Sequence, residues 1–140
     1  MQEQNLKNHS KIVVSFHLVN SLPILVSLIL SVILLVTEGI TLLSCFAVCV
    51  ALSLGLLFYH VRTFGLGNQD RIIRAEENFR CYRLTGKELD SRLSKSQIIA
   101  LRFAVDSEYL ALMEKTIAQN LGAKEIKESI KEWRADYHRI

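Results

Sequence analysis

Between Lys11 and Arg62 the chain has no lysine, no arginine, no aspartate and a single glutamate, Glu38; its other titratable groups there are His17, Cys45, Cys49, Tyr59 and His60. A stretch so poor in charge is excluded from being an ordinary solvated surface. Cysteine is scarce as well: Cys45 and Cys49 lie inside apolar sequence and Cys81 far along a charged one, which excludes a disulfide framework and a zinc-ligand spacing. There is no glycine-rich phosphate loop and no nucleophile spaced with a base, so no catalytic constellation, no metal site and no cofactor is expected. Strand-like alternation is missing too. The fold class expected is all-α.

What is present divides into two halves of opposite character. Apart from Lys7 and Lys11, every basic residue lies in residues 62–140, where fifteen basic and twelve acidic side chains are interspersed rather than blocked. Such mixing describes a solvated surface and not a nucleic-acid arm. A helix-turn-helix reading of residues 95–120 is also poor, because its second helix opens with Asp106 and Glu108, which repel phosphate.

Residues 18–36 are apolar and reach about the ~20 residues a helix needs to cross the hydrocarbon of a bilayer. A cleaved leader would have a shorter apolar core, about 7 to 15 residues, ending in small residues. Here Leu35 and Val36 run instead into Thr37, Glu38 and Gly39. The second apolar stretch begins immediately, so residues 18–36 and 40–61 are expected to be antiparallel membrane helices joined by a turn at 37–39, with Gly39 supplying the reversal. Pro23 sits near the start of the first helix, where a missing amide costs least. Lys7 and Lys11 before the hairpin and Arg62, Arg71 and Arg74 after it put both termini on the cytoplasmic side. The segments expected are therefore a cytoplasmic 1–17, membrane helices 18–36 and 40–61, an extracytoplasmic turn 37–39, a cytoplasmic extension helix 62–84 and a helical domain 85–140.

Ala47, Ala51 and Gly55 recur every four residues and form a small-residue ridge suited to close helix packing, against the first span or in an oligomer. His17 and His60 read as interfacial residues rather than a metal pair, since no third ligand lies at their level. From Phe58 onward a heptad-like seam of Phe58, Val61, Gly65, Asn68, Ile72, Ala75, Phe79 and Tyr82 runs from the second span into the extension helix and could pack against another helix, but four of its eight positions are weak as core residues, so a stable isolated dimeric coiled coil is not expected. Arg62, Gln69, Asp70, Arg71, Arg74 and Glu77 are its membrane-proximal interaction candidates, with helical pairs expected between Asp70 and Arg74, Arg74 and Glu77, and Glu76 and Arg80.

The strings Val61-Arg62-Thr63-Phe64-Gly65-Leu66, Gln69-Asp70-Arg71-Ile72-Ile73-Arg74-Ala75-Glu76-Glu77, Gln97-Ile98-Ile99-Ala100-Leu101-Arg102-Phe103-Ala104, Ile126-Lys127 and Trp133-Arg134-Ala135-Asp136-Tyr137, with Gln4-Asn5 and Asn8-His9-Ser10 near the start, resemble an uncharacterised family of bacterial two-pass membrane proteins, a domain of unknown function. The resemblance implies a bacterial inner-membrane address and carries no activity. Gly65-Leu66-Gly67 departs from the family's Ala-Leu-Lys-like step and leaves the straightness of the extension helix open.

In the tail, Thr85 with Glu88 and Ser94 with Gln97 have capping-box spacing, predicting a short helix to about Leu93 and a buried central helix over residues 95–104. Asp106 is expected to cap a third helix ended by a left-handed Gly122, and a last helix over residues 123–138 would carry Ile126, Ile130, Trp133 and Tyr137 on one stripe. Arg102 is expected to bond Asp106 or a helix end, and Trp133 to be core; these two are the tail's candidate site residues. The tail core is thin for independent stability, so docking on the extension helix or a partner subunit would complete it.

The function expected is that of a membrane-anchored helical adaptor or scaffold, not an enzyme, contacting the lipid bilayer, further copies of itself or an unknown cytoplasmic or membrane protein, and no nucleic acid. The alternative is a subunit of an oligomeric channel or transporter, built on Ser27, Ser31, Ser44 and Ser53. The absence of charge within the spans weighs against it.

Overall fold

The computed structural model describes residues 4–9 and 13–137. It is all-α: α1 spans Ser21–Glu38, α2 Leu42–Thr85, α3 Lys95–Leu101, α4 Asp106–Gln119 and α5 Ala123–Ser129. Among the described residues there is no strand, only a single bridge between Ala104 and Trp133. The chain forms two compact units, residues 12–66 and residues 67–140 together with 1–11.

In the first unit a widened π turn, Ser15–Asn20, leads without a break into α1. It lies just before Pro23, whose missing amide removes a bond to the preceding turn and whose ring crowds that turn's carbonyl. At the far end Gly39 adopts φ 69°, ψ −162°, a region essentially reserved for glycine. Thr41 and Ser44 then cap α2 reciprocally: the Thr41 amide donates to Ser44 Oγ at 2.9 Å and the Ser44 amide to Thr41 Oγ1 at 3.1 Å. Ser31 on α1 and Ala51 on α2 are each 3% exposed, whereas most of the large apolar side chains of this unit are open.

Helix α2 runs unbroken through Gly65 and Gly67, so that departure from the family pattern produces no interruption. It ends at Thr85, followed by Gly86 at φ 71°. The helix expected from Thr85 to Leu93 does not form. Thr85 is a C-terminal residue whose hydroxyl donates to the Cys81 carbonyl, and Gly86 supplies the left-handed stop.

In the second unit α3 carries the capping box read from the sequence, with the Ser94 side chain accepting from the Gln97 amide and Gln97 reaching back. It ends at Leu101 rather than Ala104, and Ala100, Leu101 and Ala104 are fully buried at the tail's centre. On α4 the buried positions are Tyr109, Leu112 and Thr116, with Leu110, Met113 and Ile117 packed at the edge of this stripe. The left-handed residue after α4 is Asn120, φ 49°, while Gly122 is extended at φ −72° and receives the Glu125 carboxylate on its amide at 2.6 Å.

The last helix stops at Ser129, nine residues short of the expected end. Beyond it the amides of Lys131 and Glu132 donate to the Glu108 carboxylate, each at 3.2 Å, and that of Arg134 donates to the Phe103 carbonyl at 2.7 Å. Partners on α4 and after α3 replace the intrahelical bonds, so residues 130–137 cross the tail as an extended strap.

Candidate functional site

Within the second unit, the buried side of α2 is formed by Ile73, Glu77, Arg80 and Cys81. Two of these four are ionisable, and a buried charge needs partners on every side. Arg80, 5% exposed, has them. Its Nε donates to Asp106 Oδ1 at 2.7 Å, Nη1 to Glu77 Oε2 at 3.2 Å and Nη2 to the Ala104 carbonyl at 2.6 Å, and the guanidinium lies 4.2 Å from the Tyr109 ring centroid. One side chain thus ties α2 to the end of the α3 turn and to the first residue of α4.

Glu77 sits behind it and faces a second cation, Arg134 Nη1, at 3.5 Å. Burial raises the Glu77 carboxyl above its ordinary 4.5, against the opposing pull of Arg80 and Arg134. The Tyr109 phenol, also buried, is pushed upward first by desolvation and then by the Glu77 charge. Arg102 lies alongside, its Nε 3.4 Å from Asp136 Oδ2 and its guanidinium 4.6 Å from the Phe103 centroid. Around these groups opens a cavity of about 760 Å³, edged by Phe79, Arg83 and Tyr137. Three of its four arginines face carboxylates, so the arrangement is a charge-balanced clamp holding α2, α4 and the strap together.

The strap is held from its other side by the N-terminal segment. Trp133 stacks on Phe103 at 4.6 Å, and the His9 ring lies 5.8 Å from each of them. Lys127 Nζ is 3.0 Å from His9 Nε2; an ammonium only donates, so Nε2 accepts and Nδ1 carries the proton it gives to the Leu6 carbonyl at 2.7 Å.

A model of a family of unknown function, DUF6526, matches residues 1–140. The chain belongs to that family. No curated protein and no solved structure matches it.

The clamp of this DUF6526 chain redistributes the residues singled out from the sequence. Of the membrane-proximal candidates, Glu77 enters the clamp, and Asp70 pairs with Lys95 at 2.9 Å instead of with Arg74. Arg62 lies over the Phe16 ring at 5.7 Å, Gln69 is half-buried, and Arg71 and Arg74 are exposed. The expected pair of Glu76 with Arg80 is replaced by Glu77 with Arg80, because Arg80 points to the buried side. Asp106 binds Arg80 and not Arg102, whose carboxylate partner is Asp136. Trp133 is half-buried and lies outside any helix. On the small-residue ridge Ala51 is buried and Ala47 and Gly55 are half-buried.

His17 Nδ1 contacts the Val13 carbonyl at 2.9 Å, and His60 stacks on Phe64. Ser27, Ser31 and Ser53 each donate to a carbonyl of their own helix. Among the described residues no three His, Cys, Asp or Glu side chains converge as metal ligands. From the sequence Arg80 enters only as the exposed helical partner of Glu76, and Gln4, His9 and Asp136 only within the strings of the family resemblance, so none of them, nor Tyr109, is expected at a buried charged site. Charges on an amphipathic helix read as solvated, and only Ile73 and Cys81, each four residues from Glu77, with Arg80 three residues after Glu77, hint that this face turns inward.

Proposed function

We propose that this protein is a membrane-anchored helical adaptor of the bacterial inner membrane, with residues 18–36 and 40–61 crossing the bilayer and both ends cytoplasmic. The reading rests above all on the N-terminal segment. Gln4 and His9, which precede the first apolar helix, pack on Phe103, Trp133 and Asp136, which follow the second, and this shared folded unit supports both flanks of the hairpin lying on one side of a bilayer. The apolar helices themselves support a lipid environment: 6% of the most apolar stretch of the first and 11% of that of the second is buried, an exposure that water would strongly oppose. Lys7 on one flank and Arg62, Arg71 and Arg74 on the other favour the cytoplasmic side.

The tail then acts through its surface, presenting α2 and the clamped helices to partners. The test is topology. Tags at residues 1 and 140 should both resist protease in spheroplasts and both be cut in inverted vesicles, with the chain remaining in carbonate-washed membranes. Tags on opposite faces, or a soluble chain, would overturn the reading.

A further inference from the structure

We propose that the extension part of α2 is a homodimer interface, in which two copies pack in parallel through Ile72, Ala75, Phe79 and Tyr82. The proposal rests on the membrane reading above, which fixes both copies in the same orientation. On this helix the chain buries one face and leaves another open. Ile73, Glu77, Arg80 and Cys81, all under 6% exposed, are covered by the chain's own tail. Ile72, Phe79 and Tyr82 are 58%, 63% and 56% exposed, and Ala75 between them is exposed as well.

The two faces differ in register. With Ile72 and Phe79 at a and Ala75 and Tyr82 at d, the residues buried within the chain fall at b, c and f, the positions a two-stranded coil leaves free. The side chains the tail buries and those offered to a second copy thus occupy different heptad positions of one helix, with Glu76, Asn78 and Phe79, which also border the tail, at the boundary between them.

Charge selects the occupant and its direction. Arg71 is at g and Glu76 at e, both exposed, and in a parallel pair g of one helix meets e of the other five residues on. Arg71 of each copy thus meets Glu76 of the other, twice by symmetry. The next such pair, Asn78 with Arg83, carries no repulsion, and Asn78 Oδ1 already accepts the Leu89 amide at 2.8 Å. An antiparallel pair would bring e against e, Glu76 beside Glu76. Two heptads with alanine at one core position associate weakly in free solution; confinement in a bilayer raises the effective concentration of parallel copies without any added contact.

The full chain with Cys45→Ser and Cys49→Ser, the buried Cys81 retained, is placed in phosphatidylethanolamine–phosphatidylglycerol vesicles and recovered by flotation. Mild oxidation of Ala75→Cys in this background should give a disulfide dimer. Arg74→Cys, at c, should give at least fivefold less, and the background none. Glu76→Arg should lower the Ala75→Cys dimer about tenfold, and Arg71→Glu added to it should restore the yield, which excludes misfolding as the cause of the loss. Equal cross-linking at 74 and 75, or indifference to the charge changes, in a chain that floats would overturn the interface alone. A chain that does not float would overturn the membrane reading and the interface with it.

Discussion

The side-chain amide of Gln4 exchanges two hydrogen bonds with the backbone of Asp136, 132 residues away, its Oε1 accepting from the amide at 2.8 Å and its Nε2 donating to the carbonyl at 3.1 Å. A side chain thereby takes the place of a neighbouring strand and holds the strap whose carboxylate meets Arg102. Gln4→Ala removes both bonds, together about 1–2 kcal/mol of local stability at a partly exposed site. The Asp136 amide should then exchange its hydrogen about tenfold faster, while that of Ala100 at the core should be unchanged.

The Arg80 clamp predicts a strongly non-additive pair. Arg80→Met leaves Glu77 buried with only Arg134 opposite and should cost about 3–5 kcal/mol, whereas Arg80→Met with Glu77→Leu should cost less than Arg80→Met alone. Denaturant unfolding of the chain in micelles measures both. A double variant less stable than the single one would contradict the clamp.

Glu77 also sets a pH dependence of definite sign. Its carboxyl is raised in the folded state, so between 4.5 and that raised value the folded chain binds more protons than the unfolded one, and the Glu77 contribution to stability falls as pH rises. Glu77→Gln removes this component. Melting of both proteins from pH 4.5 to 7.5 should show the variant gaining on the wild type with increasing pH, and a constant difference would rule the effect out.

Backbone conformation separates three substitutions that look alike in sequence. Gly39→Ala forces a side chain into φ 69°, ψ −162° and should cost about 1–3 kcal/mol even though open space surrounds it. Gly122→Ala, at φ −72°, should be within about 0.5 kcal/mol of wild type. Asn120→Val, at φ 49°, should cost about 1–2 kcal/mol. Thermal unfolding in micelles ranks the three.

The long apolar stretches, the Ser94–Gln97 cap and the buried centre at α3 were legible because each is local: a run of uncharged residues, a hydroxyl three residues before a glutamine, a helix with little polar surface. The last helix is shorter than its pattern predicts because Ile126, Ile130, Trp133 and Tyr137 keep helical spacing, while the amides of Lys131, Glu132 and Arg134 find better partners in Glu108 and Phe103. Glycine chemistry points to Gly122 as the stop after α4, but asparagine also tolerates the left-handed region, and Asn120 takes it. At the end of α2, Gly86 was the available signal, outweighed by the capping-box spacing of Thr85 and Glu88.

Sequence alone determined the all-α class, the division into an apolar and a charged half, and the reversal at Gly39, since periodicity, charge depletion and a backbone angle open to glycine act within a few residues. Only the tertiary structure decided that Glu77 and Arg80 turn inward, that Asp106 serves Arg80, and that Gln4 grips Asp136. Each of those pairings compares partners brought together by folding, and a buried charge differs from a solvated one only through the neighbours that replace its water.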